Sequence, residues 1–354
     1  MRVPKIKTIL LAGGALVLGA ALLLIAALLP RPLQSQRAAE RWAGQGDARY
    51  VQLSRFFSPA DAEVQYSDIL SLREKLVNKL TAASIERAQV STLFCDAWGC
   101  GGQLRISAGR GSFDTNVLAV GGSFFTFHPM MLRSGGFLAE NDVMRDRVVL
   151  DEKLAWMLFG STNVAGMTVE IGGAPYLVAG VVQRERDRIK TGADEGPLLY
   201  LPYDAYQQID GTSRIEWYEL ILPEPAEGFG AATLEDCLPL GRGVMVQNTG
   251  RFAFGKSMRV VQHLSRLPAR GEAVAFPDWE NAARAAEVRC ALLRAAALLL
   301  FLFPAALAVV LLVRLYLFAR TRLHGKGRAV LDFVRDRAEE YRARRKSDRP
   351  GRKG

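Results

Sequence analysis

Two long apolar runs, one near each end of the chain, limit what this sequence can fold into. They cover residues 9–29 and residues 295–318, and Arg314 is the one charged residue within them. Because a helix rises about 1.5 Å per residue, each run can cross the roughly 30 Å core of a lipid bilayer. Pro304 lies inside the second run, where a membrane helix tolerates it. The sequence therefore predicts two transmembrane helices.

Each run has one alternative interpretation. A cleaved signal peptide usually has an apolar stretch of about 7–15 residues that ends in small residues. The first run is longer than this and closes on Pro30-Arg31-Pro32, which favours an uncleaved anchor. A buried core helix is the alternative for the second run, and the near absence of polar atoms from residues 295–313 disfavours it.

The distribution of basic residues predicts the orientation. Arg2, Lys5 and Lys7 precede the first run without an acidic residue, and residues 314–354 carry fourteen Lys and Arg against five Asp and Glu. Segments rich in Lys and Arg stay in the cytoplasm, so residues 1–8 and 319–354 are predicted to be cytoplasmic tails at the cell membrane. The net charge of +10 therefore belongs to the tails. A nucleic-acid partner is not predicted, because it would require a basic face on the folded part.

The chain between the two runs is predicted to form an extracytoplasmic α+β domain, residues 50–290, after a polar stalk at residues 30–49. Alternating or short apolar segments predict strands, and apolar residues at a spacing of three to four predict helices. The predicted strands are residues 50–57, 88–94, 116–120, 147–150, 168–171, 176–182, 198–201, 216–222 and 243–247. The predicted helices follow Ser67, cover 151–159, 203–209 and 231–238, and begin near 277 to continue into the second run.

This order of elements predicts two subdomains. The strand–helix–strand opening returns late in the domain, which indicates a discontinuous α+β subdomain at residues 50–105 and 212–290. A β-rich subdomain, residues 106–211, is inserted into it. The glycine clusters at residues 99–102 and 109–111 are predicted to mark turns.

Residues 250–257, Gly-Arg-Phe-Ala-Phe-Gly-Lys-Ser, match the phosphate-loop pattern G-x-x-x-x-G-K-[ST]. Two Phe and one Arg crowd a loop that would have to wrap a phosphate. The acidic strand at residues 148–152 lies upstream of the loop instead of downstream, and the predicted topology places the loop outside the cell. Nucleotide binding is therefore disfavoured. No serine-hydrolase elbow or H-E-x-x-H motif occurs, so no catalytic residue and no cofactor are predicted.

Two further features concern possible cross-links and caps. Cys95 and Cys100 are candidates for a small disulfide, and free thiols are the alternative. Their C-x4-C spacing, without a second Cys or His pair nearby, is a poor match to zinc ligation, so no metal is predicted. Asp151-Glu152 precedes a helical pattern and is predicted to be a helix N-cap. His128 is isolated in the sequence and is predicted to be structural.

A series of short motifs follows in order from residue 120 to residue 182. They are Val120-Gly121-Gly122-Ser123-Phe124-Phe125, residues 132–137 with Gly135-Gly136, Asp142, residues 148–152 ending in Asp151-Glu152, Leu154-Ala155, Phe159-Gly160, residues 164–167 with Gly166, and residues 176–182 with Gly180-Val181. In order and spacing they resemble the MacB-like periplasmic core domain of MacB/FtsX-type ABC transporter permeases. The arrangement of span, domain and span is similar as well.

The resemblance implies a fold and a partner, not a catalytic site. Its glycines are expected at turns, strand ends or close packing contacts. In the family, the segment after the second span docks on a cytoplasmic ATPase, and here that segment is residues 322–345. Its expected contact is a short apolar face with two adjacent arginines: Leu331, Phe333, Val334, Arg335 and Arg337.

The predicted function is a non-enzymatic membrane subunit of an ABC-type transporter or mechanotransmission complex. An ATPase would move the long second helix, and the outer domain would follow. Permeases of this class have four spans, so a chain with two is expected to need a second membrane subunit or a second copy of itself. One alternative is a membrane-anchored binding or scaffold protein without an ATPase. The other is an enzyme or nucleotide-binding protein that uses Gly250–Ser257.

Overall fold

The computed structural model of the chain divides into two compact units. One combines Met1–Ala26 with Leu292–Gly354, and the other covers Ala27–Ala291. The structure describes residues 6–44, 49–58, 64–83, 93–139, 142, 144–184, 196–211, 214–238, 243–262 and 276–347.

The secondary structure largely follows the predicted order. The helices are α1 (Ile6–Leu28), α2 (Ala38–Ala43), α3 (Tyr66–Ala82), α4 (Phe124–Phe127), α5 (Glu152–Phe159), α6 (Tyr203–Asp210), α7 (Phe229–Cys237), α8 (Phe254–Gln262) and α9 (Asp278–Ser347), with a 3-10 turn at Gln34–Arg37. The strands are β1 (Tyr50–Phe56), β2 (Cys95–Ala108), β3 (Gly111–Gly122), β4 (Met131–Gly135), β5 (Arg147–Asp151), β6 (Thr168–Ile171), β7 (Ala174–Gln183), β8 (Leu198–Pro202), β9 (Trp217–Pro223) and β10 (Val244–Gln247).

Two helices, α1 and α9, are long and apolar enough to cross a membrane. This confirms the two predicted transmembrane helices, and α9 also confirms the helix predicted to begin near residue 277. The first unit brings them together at Gly19 of α1, where a Cβ atom would lie 2.5 Å from the ring of Phe301. Most other large apolar side chains of the two apolar runs are exposed, as expected of surfaces that lipid covers.

The second unit is built on one ten-stranded sheet with the order β10-β1-β9-β2-β3-β8-β5-β7-β4. Its neighbouring strands are antiparallel, except for the parallel pairs β3–β8 and β5–β7. β6 lies off this path and pairs with both β2 and β7. These pairings close β2, β3, β8, β5, β7 and β6 into a barrel, while β9, β1 and β10 extend from β2 as an open layer. The predicted α+β class is confirmed.

One hydrophobic core runs beneath the open layer and into the barrel. Under the layer it contains Leu72 and Leu76 of α3 and Leu234 of α7. In the barrel it contains Leu154 and Leu158 of α5, a helix that contacts β2, β3, β5, β7 and β8. A second cluster covers the opposite face of the sheet, where α2 and α4 pack. Each face of the sheet is thus covered by helices that bury apolar surface.

The predicted turn at residues 99–102 is wrong, because these residues lie inside β2. Gly99 pairs with Val120 and Gly102 pairs with Val117 across the β2–β3 ladder. A Cβ on Gly99 would lie 2.0 Å from the carbonyl oxygen of Ala119, and the side chain of Tyr206 would block a Cβ on Gly102. At these positions glycine lets a neighbouring backbone or side chain approach the strand closely, which is a common reason for glycine within strands.

Other differences concern strand ends. The strand predicted at residues 88–94 begins instead at Cys95, and residues 84–92 lie outside the described part of the chain. The strand β4 is an addition to the predicted strands, because its sequence, Met-Leu-Arg-Ser-Gly, does not alternate between apolar and polar residues. The predicted subdomain boundary at residues 105 and 106 falls inside β2, which the open layer and the barrel share. The division into two subdomains stays a prediction.

The glycine that ends β3 should be among the least replaceable in the fold. Gly122 has φ +66° and Gly211 has φ +72°, but a Cβ on Gly122 would lie 2.4 Å from the carbonyl oxygen of Asp96, whereas Gly211 has open space. We expect Gly211→Ala to cost about 1–2 kcal/mol for the left-handed backbone alone. Gly122→Ala should cost several kcal/mol more, as measured by denaturant unfolding. Equal costs would contradict the packing argument.

Candidate functional site

The first motif of the resemblance lines a cavity. Gly121 and Gly122 end β3, and Ser123, whose N–H donates to the carbonyl of Asp96 at 2.9 Å, leads the chain into α4. Phe124 and Phe125 follow, and Phe124 is buried. The cavity has a volume of about 210 Å³ and is bounded by this turn, α3, β2 and the start of α6.

An ion pair with a buried carboxylate lies beside the cavity. Arg73 donates from Nε and Nη2 to the two carboxylate oxygens of Asp96 at 2.9 and 2.7 Å, and its guanidinium lies 4.5 Å from the centre of the Trp98 ring. Tyr218 Oη also donates to Asp96 at 3.0 Å. Burial raises the pKa of Tyr218 well above its ordinary value, and the negative Asp96 raises it further. The phenol therefore stays protonated and helps the guanidinium to satisfy the buried carboxylate.

The second group of motif residues surrounds α5. Asp151 Oδ1 accepts a hydrogen bond from Leu154 N at 2.7 Å, which confirms the predicted N-cap, and Asp151 Oδ2 pairs with Arg184 at 2.8 Å. Burial raises the pKa of Asp151 above its ordinary value, although Arg184 and the hydrogen bond from Leu154 pull it down. Leu154 and Ala155 are fully buried.

The remaining motif residues have structural positions around the same helix. Phe159 packs at the core edge, Gly160 ends α5 with φ +73°, and Gly166 forms a turn with φ +85°. Gly180 lies within β7, not at a strand end, and a Cβ there would lie 2.3 Å from the carbonyl oxygen of Gly136. Val181, next to it, is buried. Outside this core, Glu152 lies 3.7 Å from Arg133 of β4.

The candidate disulfide between Cys95 and Cys100 is not formed. Both residues lie in β2, where they face the two different core clusters. Five residues of extended chain separate their Cα atoms by about 16 Å, whereas a disulfide requires a Cα separation below roughly 7 Å. Burial and the charge of Glu216 raise the pKa of the Cys100 thiol to about 12, so it is protonated.

The start of α9 is fastened to the sheet by a buried ionic cluster. Arg251 donates from Nη1 and Nη2 to the carboxylate oxygens of Glu280 at 2.8 and 3.0 Å, and from Nε to Glu287 at 3.0 Å. Arg284 also donates to Glu280, at 2.9 Å. Arg251 and Glu280 are almost fully buried. Burial alone would lower the pKa of Arg251, but the hydrogen bond and charge of Glu280 raise it above its ordinary value.

The segment that follows α1 is held by the same region. Gln36 accepts a hydrogen bond from Arg251 Nη1 at 3.2 Å. Gln52 of β1 accepts from Ala38 N at 2.9 Å and donates to the carbonyl of Ser35 at 2.6 Å. Residues 35–38, predicted to be part of a polar stalk, are therefore packed onto the open layer.

These contacts define what residues 250–257 do. Arg251 is occupied by the ionic cluster, and the backbone N–H groups of Arg251, Ala253 and Ser257 donate to carbonyl oxygens of Asn248, Gly250 and Ala253. A phosphate loop requires such N–H groups to face the ligand. The geometry therefore supports a structural role for this segment, and the nucleotide hypothesis gains no support from it.

His128 is not isolated in the fold. Its Nε2 atom lies 2.5 Å from Glu219 Oε2 in a buried pair, and Ser54 Oγ lies 3.2 Å from Glu219 Oε1. Its ring packs between Phe124 and Trp279, with centroids 4.5 and 4.4 Å away. Trp279 belongs to the first turn of α9, so this cluster is a second contact between α9 and the sheet.

Residues 14–232, well over half of the chain, match the sequence model of the MacB-like periplasmic core domain. The chain belongs to this family. No curated protein matches its sequence.

Solved structures of similar domains include three from bacterial membrane proteins. The periplasmic region of MacB from Actinobacillus actinomycetemcomitans has 20% identity and a TM-score of 0.43, over 62% of this chain and 94% of that one. The extracellular domain of the noncanonic ABC-type transporter YknZ from Gram-positive bacteria has 18% identity and a TM-score of 0.38, over 56% and 99%. A domain of a putative permease from Porphyromonas gingivalis has 14% identity and a TM-score of 0.32, over 54% and 82%.

The MacB-like match includes the cavity and the α5 motifs but ends before the ionic cluster. Arg251 and Glu280 lie after residue 232. Among the described residues, no group of three or more His, Cys, Asp or Glu side chains is arranged to hold a metal ion.

The predicted ATPase contact lies on the far part of α9. Phe333 and Val334 are exposed, Arg337 lies 5.6 Å from the centre of the Phe333 ring, and Arg335 is 3.6 Å from Glu339. The side chain of Leu331 lies outside the described part of the chain. The contact itself stays a prediction.

Sequence reasoning missed the buried polar residues. Asp96, Glu219 and Arg251 each lie next to apolar or aromatic residues, and a charged residue within an otherwise apolar strand is the signal that could have identified the first two. Their partners, Arg73, His128 and Glu280, lie 23, 91 and 29 residues away along the chain. That distance is why the sequence alone did not pair them.

Removal of the cap on α5 should have a graded effect. Asp151→Ala removes the acceptor for Leu154 N and the partner of Arg184, so we expect a loss of about 1–3 kcal/mol in unfolding free energy. Asp151→Asn should cost less, because asparagine is an equally good cap and carries no charge to bury. Glu152→Ala, at the partly exposed next residue, is the control and should be near neutral. An Asn variant as unstable as the Ala variant would contradict the capping role.

In the ionic cluster around Arg251, loss of one partner of the buried pair should cost more stability than replacement of both partners. Glu280→Gln leaves Arg251 buried with a weakened partner and should cost about 3 kcal/mol or more, whereas Glu287→Gln, at a partly exposed carboxylate, should cost about 1 kcal/mol. The double variant Arg251→Met with Glu280→Met should be more stable than Glu280→Gln. Unfolding of the full chain in detergent, followed by tryptophan fluorescence, measures all three. A double variant less stable than Glu280→Gln would show that the unpaired charge of Arg251 does not cause the loss of stability in Glu280→Gln.

Proposed function

We propose that this chain is a non-enzymatic membrane subunit of an ABC-type transporter or mechanotransmission complex. Its family membership supports the coarser part of this proposal, a membrane component of a transporter. The finer part is coupling, in which a cytoplasmic ATPase drives α9 and the extracytoplasmic domain follows. In this proposal both termini are cytoplasmic, and a second membrane subunit or a second copy completes the membrane part.

The observation that carries the proposal is the attachment of the sheet to the first turns of α9. A bidentate pair of arginine and carboxylate fixes direction as well as distance. Arg251 makes such a pair with Glu280, and Trp279 packs on His128 from the neighbouring position. A displacement of α9 would therefore be transmitted to β9 and to the segment after β10, because these contacts are buried and cannot slip into water.

The other end of α9 supplies a surface for a partner. The helix continues beyond its apolar run as far as Ser347. Phe333 and Val334 are exposed there, with 63% and 58% of their surface accessible. Adjacent exposed apolar side chains on a charged helix are unfavourable in water and are typical of a docking face. Arg335 and Arg337 beside them would suit an acidic rim on the ATPase.

Purification of the tagged full-length chain from its native membrane, with mass spectrometry of the proteins that accompany it, tests the proposal. We expect an ATP-binding-cassette ATPase at near-stoichiometric level. Phe333→Ser should reduce that ATPase at least about tenfold, because it removes an apolar anchor, and deletion of residues 322–354 should abolish its recovery.

Glu339→Ser is the control, because Glu339 lies about 120° around the helix from Phe333. It removes the partner of Arg335 but keeps the apolar anchor, and should leave the ATPase in place. Recovery of the ATPase after the deletion would refute the tail contact. Reproducible absence of any ATPase from the intact chain would refute coupling and would favour the extracytoplasmic binding or scaffold alternative.

A further inference from the structure

The part of the chain that contains α8 is strongly basic. Residues 237–271 include six Lys and Arg and no Asp or Glu. Two of the six are in α8, where Lys256 is partly buried and Arg259 is exposed. Burial lowers the pKa of Lys256, and the nearby charge of Arg259 lowers it further. An anion bound beside these two side chains would relieve the repulsion between them.

The same helix exposes apolar surface next to its charges. Phe254 has 49% of its surface accessible. Met258, one turn later on the same side of the helix, is partly buried, and Arg259 follows it. An aromatic ring beside basic side chains on a helix without acidic residues is typical of helices that lie in the interfacial layer of a membrane.

The contacts of Arg251, three residues before α8, indicate which surface this helix meets. Arg251 donates to Gln36 at 3.2 Å and to Glu287 at 3.0 Å. Gln36 follows the first apolar run by seven residues, and Glu287 precedes the second by eight. Along the axis of α9, eight residues are about 12 Å, and Lys and Arg side chains extend toward headgroups from such positions. Both connections are short, which favours a bilayer surface as the occupant.

We propose that α8 lies on the bilayer surface at the outer leaflet and binds the phosphate groups of anionic phospholipids. Lys256 and Arg259 supply the positive charge, and Phe254 packs at the boundary between headgroups and acyl chains. Near an anionic surface each Lys or Arg strengthens attachment about fivefold. This contact goes beyond the proposed function and requires no ATPase, so its failure would leave the coupling proposal standing.

Spin-label accessibility of the full-length chain in lipid nanodiscs tests the contact. Gln262 is exposed at the end of α8, so Gln262→Cys carries the label while Phe254 and Arg259 stay in place. The four cysteines of the chain are buried, and the unsubstituted chain measures any background labelling.

A label at Leu70→Cys is the matched control for the surface. Leu70 is also 49% exposed, but it belongs to α3, on the opposite face of the sheet from Trp279 of α9. In discs rich in phosphatidylglycerol, an uncharged nickel chelate in the water should reach the Gln262 label at least about threefold less than the Leu70 label, because lipid shields an interfacial helix.

Two changes should remove this protection. Lys256→Gln with Arg259→Gln deletes both charges, and phosphatidylcholine discs lack the anionic lipid. Each should raise nickel accessibility at Gln262 at least about twofold. Arg259→Lys keeps the charge and should leave accessibility unchanged. The proposal is overturned if the Gln262 label is as accessible as the Leu70 label in anionic discs. It is also overturned if either the double variant or the loss of anionic lipid leaves accessibility unchanged.

Discussion

The structure depends on one strand that serves two architectures. β2 pairs with β9 in the open layer and with β3 and β6 in the barrel. A strand shared in this way must be long, and it must leave room for side chains from both the layer and the barrel to pack against it. The glycines at 99 and 102 meet that requirement, because side chains of Trp217 and Tyr206 occupy the space that Cβ atoms would take. The barrel, the layer and the core beneath them lie in one compact unit, and β2 belongs to both parts of the sheet.

Buried charge is concentrated where elements far apart in the chain meet. Asp96 joins β2 to α3, Glu219 joins β9 to the residue after α4, and Arg251 joins the segment after β10 to α9. Each is satisfied by a partner of opposite charge or by a hydrogen-bonding ring. Such groups contribute little net stability compared with apolar packing, but they penalise any other arrangement heavily. They therefore set how the helices are placed on the sheet.

The matched family region and the attachment of α9 use different parts of the chain. The MacB-like core contains the cavity and the α5 motifs, while the ionic cluster on α9 lies beyond the matched region. The MacB-like core and the start of α9 are thus joined by polar contacts of fixed geometry.

The sequence by itself determined the two apolar helices, the α+β class, most strand positions and the cap at Asp151, since these depend on length, periodicity and local hydrogen bonds. It also identified the family through motifs around Gly121 and Gly180. Only the tertiary structure decided that Gly99, Gly101 and Gly102 lie in a strand, that Cys95 and Cys100 face opposite ways, that β6 closes a barrel, and that Arg251 pairs with Glu280. These facts depend on neighbours from distant parts of the chain, and a local pattern carries no information about which distant residue fills the space or supplies the opposite charge.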